Sequence, residues 1–259
     1  MSFDGWAQDV SRKKGSFDRF VTLIPEILKR QRISLETNSV FTAETVGHLS
    51  RSIQLITRLG VRKIRIGFSS QRRWTPSSLV RMKKEIAAVR TSFLETYEQL
   101  TDIPWVDMKR TQRKAIYHCA AGRGQVALAA DGCLWGCFLF PHYFDGRDGD
   151  RERKKYCFGK VDSFLRDPEA IYARTMSAVA GLGMDNFSTP DKPCVMCEEI
   201  ESCWVCPVAA AFSSQAIGKI TPQTCRMTKM MRREKDLFIS EFENKKRKRS
   251  PKVKVAALS

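Results

Sequence analysis

Nine cysteines, none of them before Cys119, constrain this 259-residue chain more than any other feature. Four of them read Cys194-x2-Cys197-x5-Cys203-x2-Cys206, and Cys225 stands alone further on. Cysteines that only fill a core scatter along a chain, whereas these converge. An odd count fits disulfide pairing poorly, and a reducing compartment works against it. Close pairs let one loop direct two thiolates at one centre, and thiolate is the donor that soft metals and iron–sulfur clusters take.

The first hundred residues are a different kind of sequence. Residues 16–31 place Phe17, Phe20, Val21, Ile24, Ile27 and Leu28 on one helical stripe, with Ser16 as the cap and Pro25 as a kink. The stretch from Ile33 to Val40 reads as a strand. Thr42 then caps a second helix carrying Val46, Leu49, Ile53, Ile56 and Leu59 until Gly60 stops it. Val61 to Phe68 is another strand, and Pro76 to about Leu100 a long helix. Strands alternating with helices of this length predict parallel β/α units, and the pattern ends between Leu100 and Tyr117.

Beyond that boundary, two short apolar runs flank Asp131-Gly132, a dipeptide suited to the positive φ of a tight hairpin. Twelve residues separate Cys119 from Gly132 and four separate Gly132 from Cys137, so a hairpin would bring the two thiols toward each other. A helix is expected from Asp167 to Ala180, then a Cys-rich loop, then a basic helix from about Pro222 to Asn244. His48, His118 and His142 have no partner spacing that signals a metal or nucleophile site.

This cysteine spacing resembles the seven-cysteine pattern of the SPASM domain, the C-terminal extension of many radical S-adenosylmethionine (SAM) enzymes. The chain departs once, with two residues rather than three between Cys203 and Cys206. The resemblance implies two auxiliary 4Fe–4S clusters. Cys119, Cys137 and Cys206 would hold the first, with Cys133 or Cys157 as a fourth ligand and Cys133 favoured. Cys194, Cys197, Cys203 and Cys225 would hold the second. Structural zinc is the main rival, but four-cysteine zinc sites usually place roughly 15 to 20 residues between their pairs, against five here.

The front of the chain resembles the same family. MSFDG, Arg12 and GSFDRF are similar to a segment midway through a radical SAM barrel, which implies that Ser2, Asp4 and Arg12 lie toward the SAM side. The fold expectation is therefore α/β: the latter part of a partial (β/α)6 barrel over residues 1–105, then a small α+β SPASM domain with a β-hairpin and Cys-rich loops over 106–227. A basic helix and tail occupy 228–259.

The Cys-x3-Cys-x2-Cys triad that starts the family's chemistry is missing; Cys133-x3-Cys137 begins one, but position 140 is Phe. SAM cleavage is not expected from this polypeptide, and SAM enters only if a front portion is supplied. Three explanations compete: a truncated chain, which is favoured, a partner subunit completing the barrel, or a cluster or electron-transfer protein without radical chemistry. The resemblance implies radical modification of a peptide or protein. Phe138 after Cys137 stands where sulfatase maturases generally carry Asp.

A net charge of +17 suits an acidic partner. The densest basic run, Lys245 to Arg249, reads as a solvated helix end and disordered tail. It lacks the interleaved aromatics that stack bases, which argues against nucleic acid and leaves a zinc-stabilised nucleic-acid binder as the weaker rival. No run reaches the roughly 18 apolar residues a membrane helix needs, so a cytoplasmic protein without membrane contact is expected.

Overall fold

The computed structural model describes residues 1–30, 32–69, 73–109, 115–123, 125–147 and 149–249. It is an α/β chain divided into two compact units. One holds the residues up to 111 together with those from Met230 on, and the other holds 112 to Lys229. The division falls inside the expected interval. No described helix is long and apolar enough to cross a membrane.

In the first unit, strands β1 (Glu36–Phe41) and β2 (Lys63–Phe68) pair in parallel from Glu36↔Lys63 to Phe41↔Phe68. Single parallel bridges, Ser2↔Asn38 and Ile64↔Trp105, extend the order on either side. Four chain segments thus lie side by side in sequence order, joined by helices α1 (Ser16–Leu28), α2 (Leu49–Arg58) and α3 (Pro76–Thr96). The core is apolar where the periodicity places it: Val46, Leu49, Ile53 and Ile56 before and within α2, Met82, Ile86, Val89 and Phe93 on α3.

Local chemistry sets the helix ends. Thr75 caps α3: its hydroxyl accepts the Ser78 N–H at 3.2 Å and the Ser78 hydroxyl accepts the Thr75 N–H at 2.8 Å, with Pro76 at the first helical position. At α1 the expectation of a Ser16 cap is corrected. Gly15, in the left-handed region, precedes the helix, and Asp9 from upstream accepts the N–H groups of Gly15 at 3.0 Å and Phe17 at 2.9 Å. A carboxylate beside the positive helix end serves better than a serine inside the first turn.

The basic C-terminal helix runs from Pro222 to Arg249, longer than expected, and from Met230 it belongs to the first unit. The expectation of a separate C-terminal part is corrected by what this helix buries. Phe238 meets Phe93 and Trp105 edge-on at 6.4 and 6.0 Å. Arg90 binds the buried Glu234 and, at 3.1 Å, Glu241. Residues 251–259, the expected disordered tail, lie outside the described residues.

The second unit is built from short elements. Strands β3 (Ala127–Leu128), β4 (Cys133–Trp135) and β5 (Cys157–Lys160) form an antiparallel sheet in that order. The β3–β4 connection is the expected hairpin: Gly132 has φ +77°, its N–H donates to Ala129 O at 2.9 Å, and Asp131 accepts the Cys133 N–H at 2.9 Å. Helices α4 (Leu139–Tyr143), α5 (Pro168–Ala180) and α6 (Pro207–Ser214) follow, α5 capped by Asp167. Two apolar nuclei form, one around Trp135, Phe140 and Phe144, the other around Met184, Phe187 and Ile220.

Candidate metal centres

The cysteine loop is organised by a repeat of three. Short 3₁₀ turns at Cys194–Met196 and Ile200–Ser202 are joined by backbone bonds in which Cys197 donates to Cys194 O, Ile200 to Cys197 O and Cys203 to Ile200 O, each at 3.0 Å. Residues three apart in such turns eclipse one another, so the Cys-x2-Cys and Cys-x5-Cys spacings are whole numbers of turns. Cys225 joins them from the first turn of the C-terminal helix. These four thiols act on one another: Cys225 and Cys197 raise the pKa of Cys194, and Cys225, Cys194 and Cys197 raise that of Cys203.

Cys206, three residues beyond Cys203, faces elsewhere because α6 starts there. Its sulfur caps the helix by accepting the Ala209 N–H at 3.5 Å. Its thiol neighbour is Cys137, and Cys119 is acted on by both Cys206 and Cys137. Cys119 is brought there by the N–H it donates to Leu182 O at 2.9 Å and by the His118↔Gly183 bridge. Cys137 follows the hairpin, and the N–H groups of Leu139 and Phe140 turn toward its sulfur.

The seven cysteines of the SPASM-like pattern therefore divide into a set of three (Cys119, Cys137, Cys206) and a set of four (Cys194, Cys197, Cys203, Cys225). Cys133 belongs to neither. The thiol that acts on it is Cys157 on the neighbouring strand, whose sulfur accepts the Gly159 N–H at 3.2 Å. No disulfide joins any of the nine.

Burial is the dominant influence on these thiols. It pushes Cys119, Cys137, Cys194 and Cys206 up from the usual thiol value and Cys203 up to about 12. Backbone N–H groups oppose it at Cys119, Cys137, Cys194 and Cys206, where they favour thiolate. A positive centre among such groups would draw off the protons.

Among the described residues, no three His, Cys, Asp or Glu side chains are arranged to hold one metal ion. Four thiolates at about 2.3 Å from a single zinc stand within about 3.8 Å of one another. The side chains gathered are thiols, the donor class that both structural zinc and iron–sulfur clusters take.

Two contributors were not singled out by the sequence reading. A Cβ on Gly136 would lie 3.0 Å from Ala121 Cβ and from Gly122 N, so only glycine lets the segment entering Cys137 lie against the one leaving Cys119; the Gly122 N–H donates to Gly136 O at 2.9 Å. Tyr117 faces all three thiols of the smaller set, which with burial push its phenol up, and its ring tilts against Trp204 at 5.9 Å. The sequence signals were faint: a glycine before a cysteine, and an aromatic two residues from one. His142 lies against Phe212, and no histidine joins either thiol set.

In the first unit, Asp4 is 1% exposed and its carboxylate is occupied. It accepts from Val40 N at 2.8 Å, Ser11 Oγ at 2.9 Å and Arg12 Nε at 2.8 Å. Arg12 and Asp4 are thus together, as an ion pair holding the first segment against β1. Ser2 lies in the bridge to Asn38. Compared with protein-family models and with curated proteins, the chain matches none.

Proposed function

We propose that this chain is the cluster-bearing portion of a radical SAM/SPASM-type enzyme, binding two auxiliary 4Fe–4S clusters that serve radical modification of a peptide or protein. The observation that carries the reading is that the thiols neighbour one another in a group of three and a group of four, the grouping the family resemblance implies. The sequence-ordered parallel segments of the first unit agree with a partial barrel. Such clusters, when bound, pass electrons one at a time.

The chain's own residues do the positioning. The 3₁₀ turns bring Cys194, Cys197 and Cys203 into one short loop, and on this reading Cys225 would be the fourth ligand. Gly136 lets Cys119 and Cys137 approach, and α6 orients Cys206. On this reading the smaller set would need a fourth ligand, and Cys133, which shares its apolar nucleus, neighbours Cys157 as well. The charge of +17 favours an acidic peptide, first by raising the rate of encounter. A second reading, an electron-transfer protein without catalysis, is favoured by the absence of a Cys-x3-Cys-x2-Cys triad from the sequence.

The test is iron, sulfide and zinc content with electron paramagnetic resonance on protein purified without oxygen. The expected result is about eight irons and eight sulfides per chain, four for each cluster. Cys194→Ala should remove one signal and Cys119→Ala the other. Stoichiometric zinc without sulfide overturns the reading. Intact clusters with no 5′-deoxyadenosine formed, even with a supplied front portion, select the electron-transfer reading.

A further inference from the structure

The two cysteines outside the thiol sets lie together in a cavity of about 540 Å³ in the second unit. Three elements contribute cations to its wall: Arg153, Lys154 and Lys155 from a short helix, Lys160 from β5, and Arg174 from α5. No carboxylate among the described residues lines it. Nearby acids are engaged at the margin, Asp131 with Arg153 at 3.1 Å and Glu152 with Lys155 at 3.7 Å. Lys154 and Arg174 make no ion pair among the described residues.

Five like charges on a convex face spread apart into water. Around a concavity they focus their field on its interior, where an anion gains most from Lys154 and Arg174, which no carboxylate among the described residues answers. The floor is formed by Cys133 and Cys157 and brings no carboxylate to the cavity. Gly159, at φ +92°, leaves the wall between Cys157 and Lys160 without a side chain. The volume is in the range of small-molecule sites, roughly 300 to 1,000 Å³, and exceeds what a simple halide needs.

We propose that this cavity is a binding site for a small phosphate-bearing anion, recognised by Lys154, Lys155, Lys160 and Arg174 and floored by the Cys133–Cys157 thiol pair. Guanidinium and ammonium groups converging from separate elements give charge-assisted hydrogen bonds to several oxygens of one ligand. The site is separate from both thiol sets and holds whether or not they carry clusters.

Inorganic pyrophosphate is the probe, titrated calorimetrically into the full chain purified without oxygen. The expected result is one saturable site that weakens with added salt and slows iodoacetamide labelling of Cys133 and Cys157, read by mass spectrometry. The paired substitution Lys155→Gln with Arg174→Gln should weaken binding at least about tenfold. The control pair Lys83→Gln with Lys84→Gln, on the exposed face of α3, should leave it unchanged. Absence of binding, equal weakening by both pairs, or unaltered labelling of the two thiols overturns the proposal. Binding to vesicles of anionic phospholipid without binding to pyrophosphate overturns it in favour of a lipid headgroup.

Discussion

In the first unit the buried acid Asp4 is surrounded by donors from Val40, Ser11 and Arg12, whereas in the second the thiols Cys119 and Cys194 are buried in apolar nuclei with other thiols as neighbours. Both arrangements bury ionisable groups, with opposite consequences. Asp4 is neutralised by its own fold, so its site is complete. The thiols oppose one another's ionisation, and on the proposed reading a positive centre from outside would relieve that opposition. The difference also shows in architecture, since the first unit has long helices over a parallel sheet and the second holds short turns around its cysteines.

The largest expected effect separates the units by pH. Cys133 is pushed up to about 11 and Cys203 to about 12 from a usual 9.0, and other buried thiols rise too. The neutral form is the one the fold prefers, so the metal-free chain keeps this contribution in full below about pH 9. It loses it as pH climbs toward 11 to 12. Urea midpoints of metal-free protein should fall over that window. Cys133→Ser with Cys203→Ser should flatten the fall, since no thiol then has to ionise at those positions. An unchanged slope would remove the contrast between the units. Metal uptake, if the proposed reading holds, would run the other way, releasing protons and strengthening as pH rises.

Asp4→Ala attacks the completed site. It strips the partner from Arg12, leaves the Val40 N–H unpaired and should cost about 2 to 4 kcal/mol in urea unfolding. Metal content should be unchanged. Loss of SAM affinity in a completed enzyme, with stability intact, would instead make Asp4 part of the cofactor side, as the family resemblance implies.

Gly136→Ala probes the thiol side of the comparison. The added methyl must push back Ala121 or the Gly122 backbone, at a cost of about 1 to 3 kcal/mol. It should loosen the set of Cys119, Cys137 and Cys206 and spare the set of four. Spectroscopic signals lost together from both sets would show that the two are not independent.

How far the sequence could be read follows the range of the interactions. The Cys194 to Cys203 loop was legible because turns of three residues are local, and the spacing states them directly. The Asp131-Gly132 hairpin was legible for the same reason. The pairing of Cys133 with Cys157 was hidden, since it depends on cross-strand register and on an irregularity between Leu134 and Trp135. The spent carboxylate of Asp4 was hidden as well, because one of its donors, Val40, lies 36 residues away. The reversal of roles at Asp9 and Ser16 shows a capping residue reaching in from outside the usual window.

Lys245 gives the smallest and most local test. It opens the basic run read as a solvated helix end, yet its ammonium donates to Leu94 O at 2.6 Å and Tyr97 O at 2.8 Å. Those carbonyls sit at the C-terminal end of α3, where backbone acceptors lack helical partners and the dipole is negative. One cation there answers two acceptors, with Glu98 at 3.8 Å adding little at an exposed position. Lys245→Ala should therefore cost about 1 kcal/mol and raise hydrogen exchange at the end of α3, while Lys248→Ala, at an exposed position, should cost less. Equal effects from the two would return the whole run to solvent. A selective loss at Lys245 would mean that part of the positive charge serves the fold, and that the charge free to attract an acidic partner is smaller than +17 by at least this residue.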